Sequence, residues 1–326
     1  MRILVTGASG FVGSLLIPEL AARGHRISAF GRDPQRVRLA LERTGGNGHI
    51  DVWRGDALTA DGLTQALDGV EVAYYLIHSM ERMGSGAQSF QERERLAAEN
   101  FGAAAAAAGV RRIVFLGGLL PQPDAHNSAP HDTEASAPTS RHLASRERVE
   151  RVLLDAVPDS LSLRASIVVG ARSRSFRLLV HLVERMPVLT LPPWQRFRTQ
   201  PIDARDVTAM LAACATAPIG GRSLDIAGPD VLTYGEILTS IAELMLVNRP
   251  ALHLKVNLTG ITARVAAAVA GEDPELVLPL MEGLQADLLP RDDHAAELLG
   301  VRLHPFESSV EHALAEWESF EALAAR

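Results

Sequence analysis

The first thirteen residues, MRILVTGASGFVG, constrain the fold of this chain more than any other stretch. Ile3, Leu4 and Val5 form an unbroken apolar run, as a strand buried on both faces of a parallel sheet requires. Gly7, Gly10 and Gly13 follow in the spacing GxxGxxG, and residues 11–20 continue with apolar side chains at helical period. In a strand–turn–helix unit that binds a dinucleotide, each glycine has its own task. Gly7 permits the tight turn, Gly10 lets the backbone approach the pyrophosphate, and Gly13 lets the helix lie close on the strand. The phosphates would rest on free N–H groups at the helix start, around Ser9, Gly10, Phe11 and Val12. Three glycines between a predicted strand and a predicted helix are a stronger signal than a glycine-rich turn alone.

At 326 residues the chain has room for an α/β core with a smaller lobe. Residues 26–30, 49–54, 70–77, 112–116, 160–169 and 222–226 read as further strands. Residues 34–43, 89–109, 141–156, 180–186, 201–217, 233–247, 259–270 and 310–324 read as helices. This alternation predicts a doubly wound, Rossmann-type α/β fold. Residues 121–138 form a polar, proline-containing lid or surface loop. The spacing of His126, His131 and Asp132 within it matches no metal-ligand motif.

Composition narrows the setting. Cys214 is the only cysteine, which excludes an internal disulfide framework and a multi-cysteine zinc site, and suits a reducing cytoplasm. With the first strand expected to begin at Arg2, no leader is expected ahead of it. The alanine-rich run at 265–270 is too short to cross a bilayer, so a cytoplasmic protein without a membrane span is expected. A net charge of -7, with no basic stripe interleaved with aromatics, argues against nucleic acid. Arginines cluster locally between Arg164 and Arg205, against only Glu184 and Asp203. Such a cluster is either a solvated face or a surface that receives an anionic small-molecule substrate.

Strand ends supply the remaining site candidates, because ligands of parallel sheets gather beyond the carboxyl ends of the strands. The second strand runs into Arg32 and Asp33. An arginine there matches the 2′-phosphate of NADP(H), whereas an acid would bind the 2′-hydroxyl of NAD(H). Arg32 therefore argues for NADP(H), although Asp33 could still turn toward the ribose. The third strand ends in Gly55, Asp56 and Ala57, where Asp56 either accepts the adenine amino group or caps the following helix. Leu76, Ile77 and His78 would face the nicotinamide half. Tyr75 and His78 are the first side chains there able to move a proton. The fifth strand ends in Gly117 and Gly118.

Several segments together resemble the atypical short-chain dehydrogenase/reductases of the NmrA-like, NAD(P)-binding kind, in the group that includes relatives of a respiratory complex I accessory subunit. They are TGASGFVG from Thr6, YYLIHSM from Tyr74, AAENF from Ala97, RRIVFLGGL from Arg111, LRASIVVG from Leu163, TQPIDARDV from Thr199 and LDIAGPDVLTY from Leu224. The resemblance implies a mainly parallel sheet of about seven strands in residues 1–170, completed by 201–229. It also implies a smaller lobe from 171–200 and 230–326. It places Gly7, Ser9, Gly10, Phe11, Arg32, Asp56, Leu76, Gly117 and Ala165 at positions that touch cofactor. It further implies that the helices at 89–109 and 141–156 can pair in a homodimer.

One departure from the resemblance concerns chemistry. Most short-chain dehydrogenases use a tyrosine as proton donor and a lysine four residues later. Here Lys255 is the only lysine, and it stands four places after Ala251. The equivalent helix carries His142 and Arg146 instead. Arg146 can hold ribose hydroxyls but stays protonated, whereas His142 titrates near neutrality. The expected function is NADPH-dependent reduction of a ketone, enone, imine or quinone, with His142, His78 or water giving the proton. The alternative is a non-catalytic NADP(H)-sensing regulator or assembly factor.

Overall fold

The computed structural model describes residues 1–45, 50–78, 90–120, 141–253, 286–292, 294–321 and 323. β1 (Arg2–Thr6) enters the glycine turn and α1 (Phe11–Ala22), followed by β2 (Arg26–Gly31), α2 (Pro34–Arg43), β3 (Asp51–Arg54) and α3 (Leu63–Leu67). Then come β4 (Val72–Tyr75), α4 (Phe90–Ala107), β5 (Arg112–Gly118), α5 (Arg141–Ala156) and β6 (Leu161–Ala165). The chain continues through β7 (Val168–Val169), α6 (Arg174–Arg185), β8 (Leu189–Leu191), a 3-10 turn (Pro193–Arg196), β9 (Arg198–Thr199) and β10 (Ile202–Asp203). The remaining elements are α7 (Ala204–Cys214), β11 (Arg222–Ile226), β12 (Leu232–Thr233), α8 (Tyr234–Leu244), β13 (Ala251–His253), α9 (Ala295–Leu298) and α10 (Phe306–Glu318).

Seven strands form one parallel sheet in the order β3-β2-β1-β4-β5-β6-β11. The Rossmann-type α/β fold expected from the sequence is therefore present. Strand order reverses between β1 and β4, which opens a crevice at their carboxyl ends. Alternate residues of the inner strands face opposite layers of helices. Ile3, Val5 and Tyr74 pack with Leu16, Val207 and Met210, whereas Leu4, Ala73 and Tyr75 pack with Ala98, Phe101 and Val149. Coverage on both faces explains the unbroken apolar run in β1. A separate core gathers Phe176, Val183, Trp194, Ile237, Phe306 and Trp317 from α6, α8, α10 and the 3-10 turn.

Several boundaries differ from the periodicity. β4 ends at Tyr75, so Leu76, Ile77 and His78 lie beyond the paired strand. The expected sixth strand is two: β6 stops at Ala165, and β7 pairs with β10 instead of the main sheet. α6 starts at Arg174, where the Ser173 hydroxyl accepts from the Phe176 amide. α7 starts at Ala204 because the Asp203 carboxylate accepts from the Arg205 amide. The loop at 121–138, with His126, His131 and Asp132, and the predicted helix at 259–270 lie outside the described residues.

Candidate functional site

The glycine turn is built to bring main chain close to a ligand. Gly7 sits at φ +65, a left-handed conformation that favours glycine. A Cβ on Gly7 would run into the Leu76 carbonyl, and one on Gly13 would run into the Gly7 carbonyl. The turn is closed by the Gly10 amide, which donates to the Gly7 carbonyl at 2.8 Å. Gly10 is also the N-cap of α1, and it gives the helix no side-chain cap and no acid in the first turn. The first amides of a helix have no partner within it, and here they remain available to an anion. Ser9, Phe11 and Val12 are half-buried around this edge, and Gly170 leaves room against the Phe11 ring. These features fit a dinucleotide diphosphate.

At the end of β2, the Asp33 carboxylate is committed to α2. Its Oδ1 accepts from the amides of Gln35 at 2.9 Å and Arg36 at 3.2 Å. Arg32 is exposed beside it. Asp56 does not cap the helix through Ala66, which has Gly62 as its N-cap. Its Oδ1 instead accepts from the Leu58 amide at 2.9 Å, folding its own turn. Ala57 is buried, and its carbonyl accepts from Asn100 on α4 at 3.0 Å.

The ends of β4 and β5 meet a buried polar group. Arg146 donates to the carbonyl of Ile77 at 3.2 Å and also to that of Leu116. Its guanidinium lies 4.6 Å from the Phe115 ring centroid. Glu94 is 3 % exposed. Its Oε2 accepts from Ser145 at 2.9 Å, and its Oε1 lies 3.4 Å from His78 Nδ1 and 3.9 Å from Arg146. Burial raises the Glu94 carboxyl, but hydrogen bonding to His78 and Ser145 and the Arg146 charge together hold it down at about 2. Desolvation lowers His78, with Glu94 acting in the opposite direction.

The other proton-transfer candidates are placed differently. Tyr75 is buried between Phe101 and Phe115, with ring centroids at 5.1 and 6.3 Å. Burial pushes its hydroxyl far above the ordinary range, so it remains protonated in the core. This corrects the reading of Tyr75 as a group open to the nicotinamide side. His142 lies on α5, but its side chain is outside the described residues. Gly117 and Gly118 continue β5 and pair with Arg164 and Ala165 of β6. Leu119 donates to the Ala165 carbonyl at 3.0 Å.

The arginine cluster is largely used inside the molecule. Arg164, Arg177, Arg198 and Arg205 pair with Glu150, Glu321, Asp287 and Asp203, while Arg172 and Arg196 lie over Phe320 and Phe197. A cavity of about 750 Å³ in the second lobe is lined by Gln195, Asp230, Glu236, Glu243, Phe306 and Glu307, among others. Its carboxylates disfavour an anionic dinucleotide. No helix among the described residues is long and apolar enough to cross a membrane.

Glu94, Ser145 and Asn100 were not among the sequence candidates. Glu94 was detectable, since it shares a helical face with Ala97, Ala98, Phe101 and Ala105. A carboxylate on an apolar stripe requires a buried partner. Asn100 carried no such sign, because its partners come from a loop distant in sequence.

Residues 7–159 match the model of a family described as NAD(P)H-binding. The chain is similar to 3 beta-hydroxysteroid dehydrogenase/Delta 5→4-isomerase of Mycobacterium tuberculosis, with 32% identity over 120 residues, covering 35% of this chain and 30% of that protein. Cinnamoyl-CoA reductase 1 of Oryza sativa subsp. japonica is 34% identical over 118 residues, covering 35% and 33%. The match thus spans about a third of the length of these curated relatives. Among solved structures, gox2253 aligns over 98% of both chains with a TM-score of 0.75 and 21% identity. UDP-glucose 4-epimerase from Thermotoga maritima aligns over 98% of this chain and 99% of that one, with a TM-score of 0.72 and 14% identity. These structures share the fold. The family match and curated relatives support an NAD(P)-binding unit of short-chain dehydrogenase/reductase type.

Proposed function

We propose that this chain is an NADPH-dependent reductase of an unsaturated small molecule, such as a ketone, enone, imine or quinone, within the NmrA-like group. The supporting observation is the packing of the open glycine turn on the end of β4. Gly7 abuts the Leu76 carbonyl, and His78 follows two residues later with its side chain about one-third exposed. Main-chain amides from Gly7 to Gly13 would hold the diphosphate, and Arg32 the 2′-phosphate. Asp56 and Ala57 would border the adenine, and Leu76, Ile77, Gly117, Gly118 and Ala165 the nicotinamide half. NADPH supplies the hydride when bound. The protein's part is to hold acceptor and nicotinamide face to face and to deliver a proton where the product needs one. The test is NADPH oxidation across a panel of quinones, enones and ketones. Steady turnover on one class supports the reading. Tight cofactor binding with no turnover on any class overturns it.

A second reading, a non-catalytic NADP(H) sensor or assembly factor, draws on Arg146. Both its close contacts are main-chain carbonyls, so its guanidinium serves the sheet. Capture of a partner that depends on whether NADPH or NADP+ is present would favour this reading.

A further inference from the structure

Glu94 is an ionised carboxylate buried next to the candidate site, and dinucleotide binding leaves it without a task. Arg146 is not its principal partner. That guanidinium aims its short contacts at the Ile77 and Leu116 carbonyls and stands 3.9 Å from the carboxylate. The nearer contacts are Ser145 Oγ at 2.9 Å and His78 Nδ1 at 3.4 Å. Ser145 fixes Oε2, which leaves Oε1 toward the imidazole. The His78 ring therefore turns Nδ1 to a buried anion, and its side chain as a whole is about one-third exposed.

We propose that Glu94 is a positioning residue that keeps the proton of neutral His78 on Nδ1, so that Nε2 is the atom that exchanges protons with a substrate beyond β4. This inference rests on the reductase reading for its chemistry. Hydride from NADPH forms the new bond at the acceptor carbon, and the π-electron pair moves to the heteroatom. The heteroatom takes the proton from Nε2 of the imidazolium. What remains is neutral His78 with its Nδ1–H still donating to Glu94, and solvent then restores the proton. The balance is acceptor plus NADPH plus one proton, giving reduced acceptor and NADP+.

Among the described residues, the charged groups acting on His78 come from three helices: Glu94 on α4, Arg146 on α5 and Arg174 on α6. The two arginines and burial disfavour the imidazolium, whereas Glu94 favours it. Removing the Glu94 charge alone should thus lower the His78 titration by about one pH unit, the usual effect of an opposite charge at this range.

The experiment is a pH titration of 15N-histidine-labelled full-length protein by NMR, for wild type, Glu94→Gln, Glu94→Asp and Ser145→Ala, alongside the pH profile of NADPH turnover. Three results are expected. Neutral His78 in the wild type carries its proton on Nδ1. Glu94→Gln titrates lower, and Glu94→Asp lies between the two. In turnover, the rate falls as pH rises through the His78 titration, and Glu94→Gln moves that limb toward acid without changing KM for NADPH. An Nε2–H tautomer in the wild type, or an unmoved titration in Glu94→Gln, overturns the proposal. Should Glu94→Gln not fold, the wild-type tautomer and the smaller downward shift in Ser145→Ala decide. A protein that shows the tautomer but no turnover refutes the reductase chemistry and keeps the positioning.

Discussion

Arg146 reaches out of α5 and donates to the main-chain carbonyl of Ile77 at 3.2 Å, beyond the last paired residue of β4. The same guanidinium donates to the Leu116 carbonyl on β5, so one side chain ties two adjacent strand ends beside the glycine turn. Arg146→Lys keeps the charge but loses the planar fork and the stacking on Phe115. It also takes a donor from one of two half-buried carbonyls, Ile77 or Leu116. A loss of about 2–4 kcal/mol is expected. Urea unfolding measures it, and an unchanged midpoint would show that the tie contributes nothing.

Gly13→Val tests the main-chain cradle. The valine Cβ would meet the Gly7 carbonyl, forcing α1 away from the turn. Calorimetry should show NADPH and NADH weakened together, each by tenfold or more, roughly the loss of one to two hydrogen bonds to charged oxygens. Equal affinity in wild type and variant would place the diphosphate elsewhere.

Arg32→Ala should separate the two nucleotides. Asp33 is occupied with the amides of Gln35 and Arg36, so the exposed charge next to it at this strand end is Arg32. Removing a charge-assisted pair with the 2′-phosphate is expected to weaken NADPH by about 10–100-fold and to leave NADH within about threefold. Equal losses for both would remove the specificity argument.

How much of this was legible depends on where each structural cause lies. β1, the glycine turn, α2 and β11 follow from local pattern, and their bounds agree closely with it. Strand ends were less legible because pairing decides them. β5 runs on through Gly117 and Gly118 because Arg164 and Ala165 lie opposite, a fact that no local pattern contains. Asp33 and Asp56 read alike as acids after strands. Only the fold shows that both bind main-chain amides of their own turns. Tyr75 read as an open proton donor because strand alternation gives its face but not what covers it. The cover is Phe101 from α4 and Phe115 from β5.

The buried carboxylate also gives the acid limb of stability a definite sign. Glu94 has an ordinary value of 4.5 and is held at about 2 in the folded chain. Between those values the unfolded chain takes up a proton at this site that the native chain does not. The Glu94 contribution is therefore complete above about pH 4.5 and is lost as pH falls toward 2. His78 acts in the same direction at milder acidity, because its folded value also lies below the ordinary 6.5. Native protein then resists protonation at a pH where the unfolded chain accepts it, and stability declines as pH falls below 6.5. Thermal melts across pH for wild type, Glu94→Gln and His78→Asn should separate the two. His78→Asn should flatten the decline that begins below 6.5, and Glu94→Gln the steeper one below 4.5. If Glu94→Gln kept the wild-type slope below pH 4.5, the carboxyl would titrate alike in the folded and unfolded chains, and His78, Ser145 and Arg146 would not be holding its proton off.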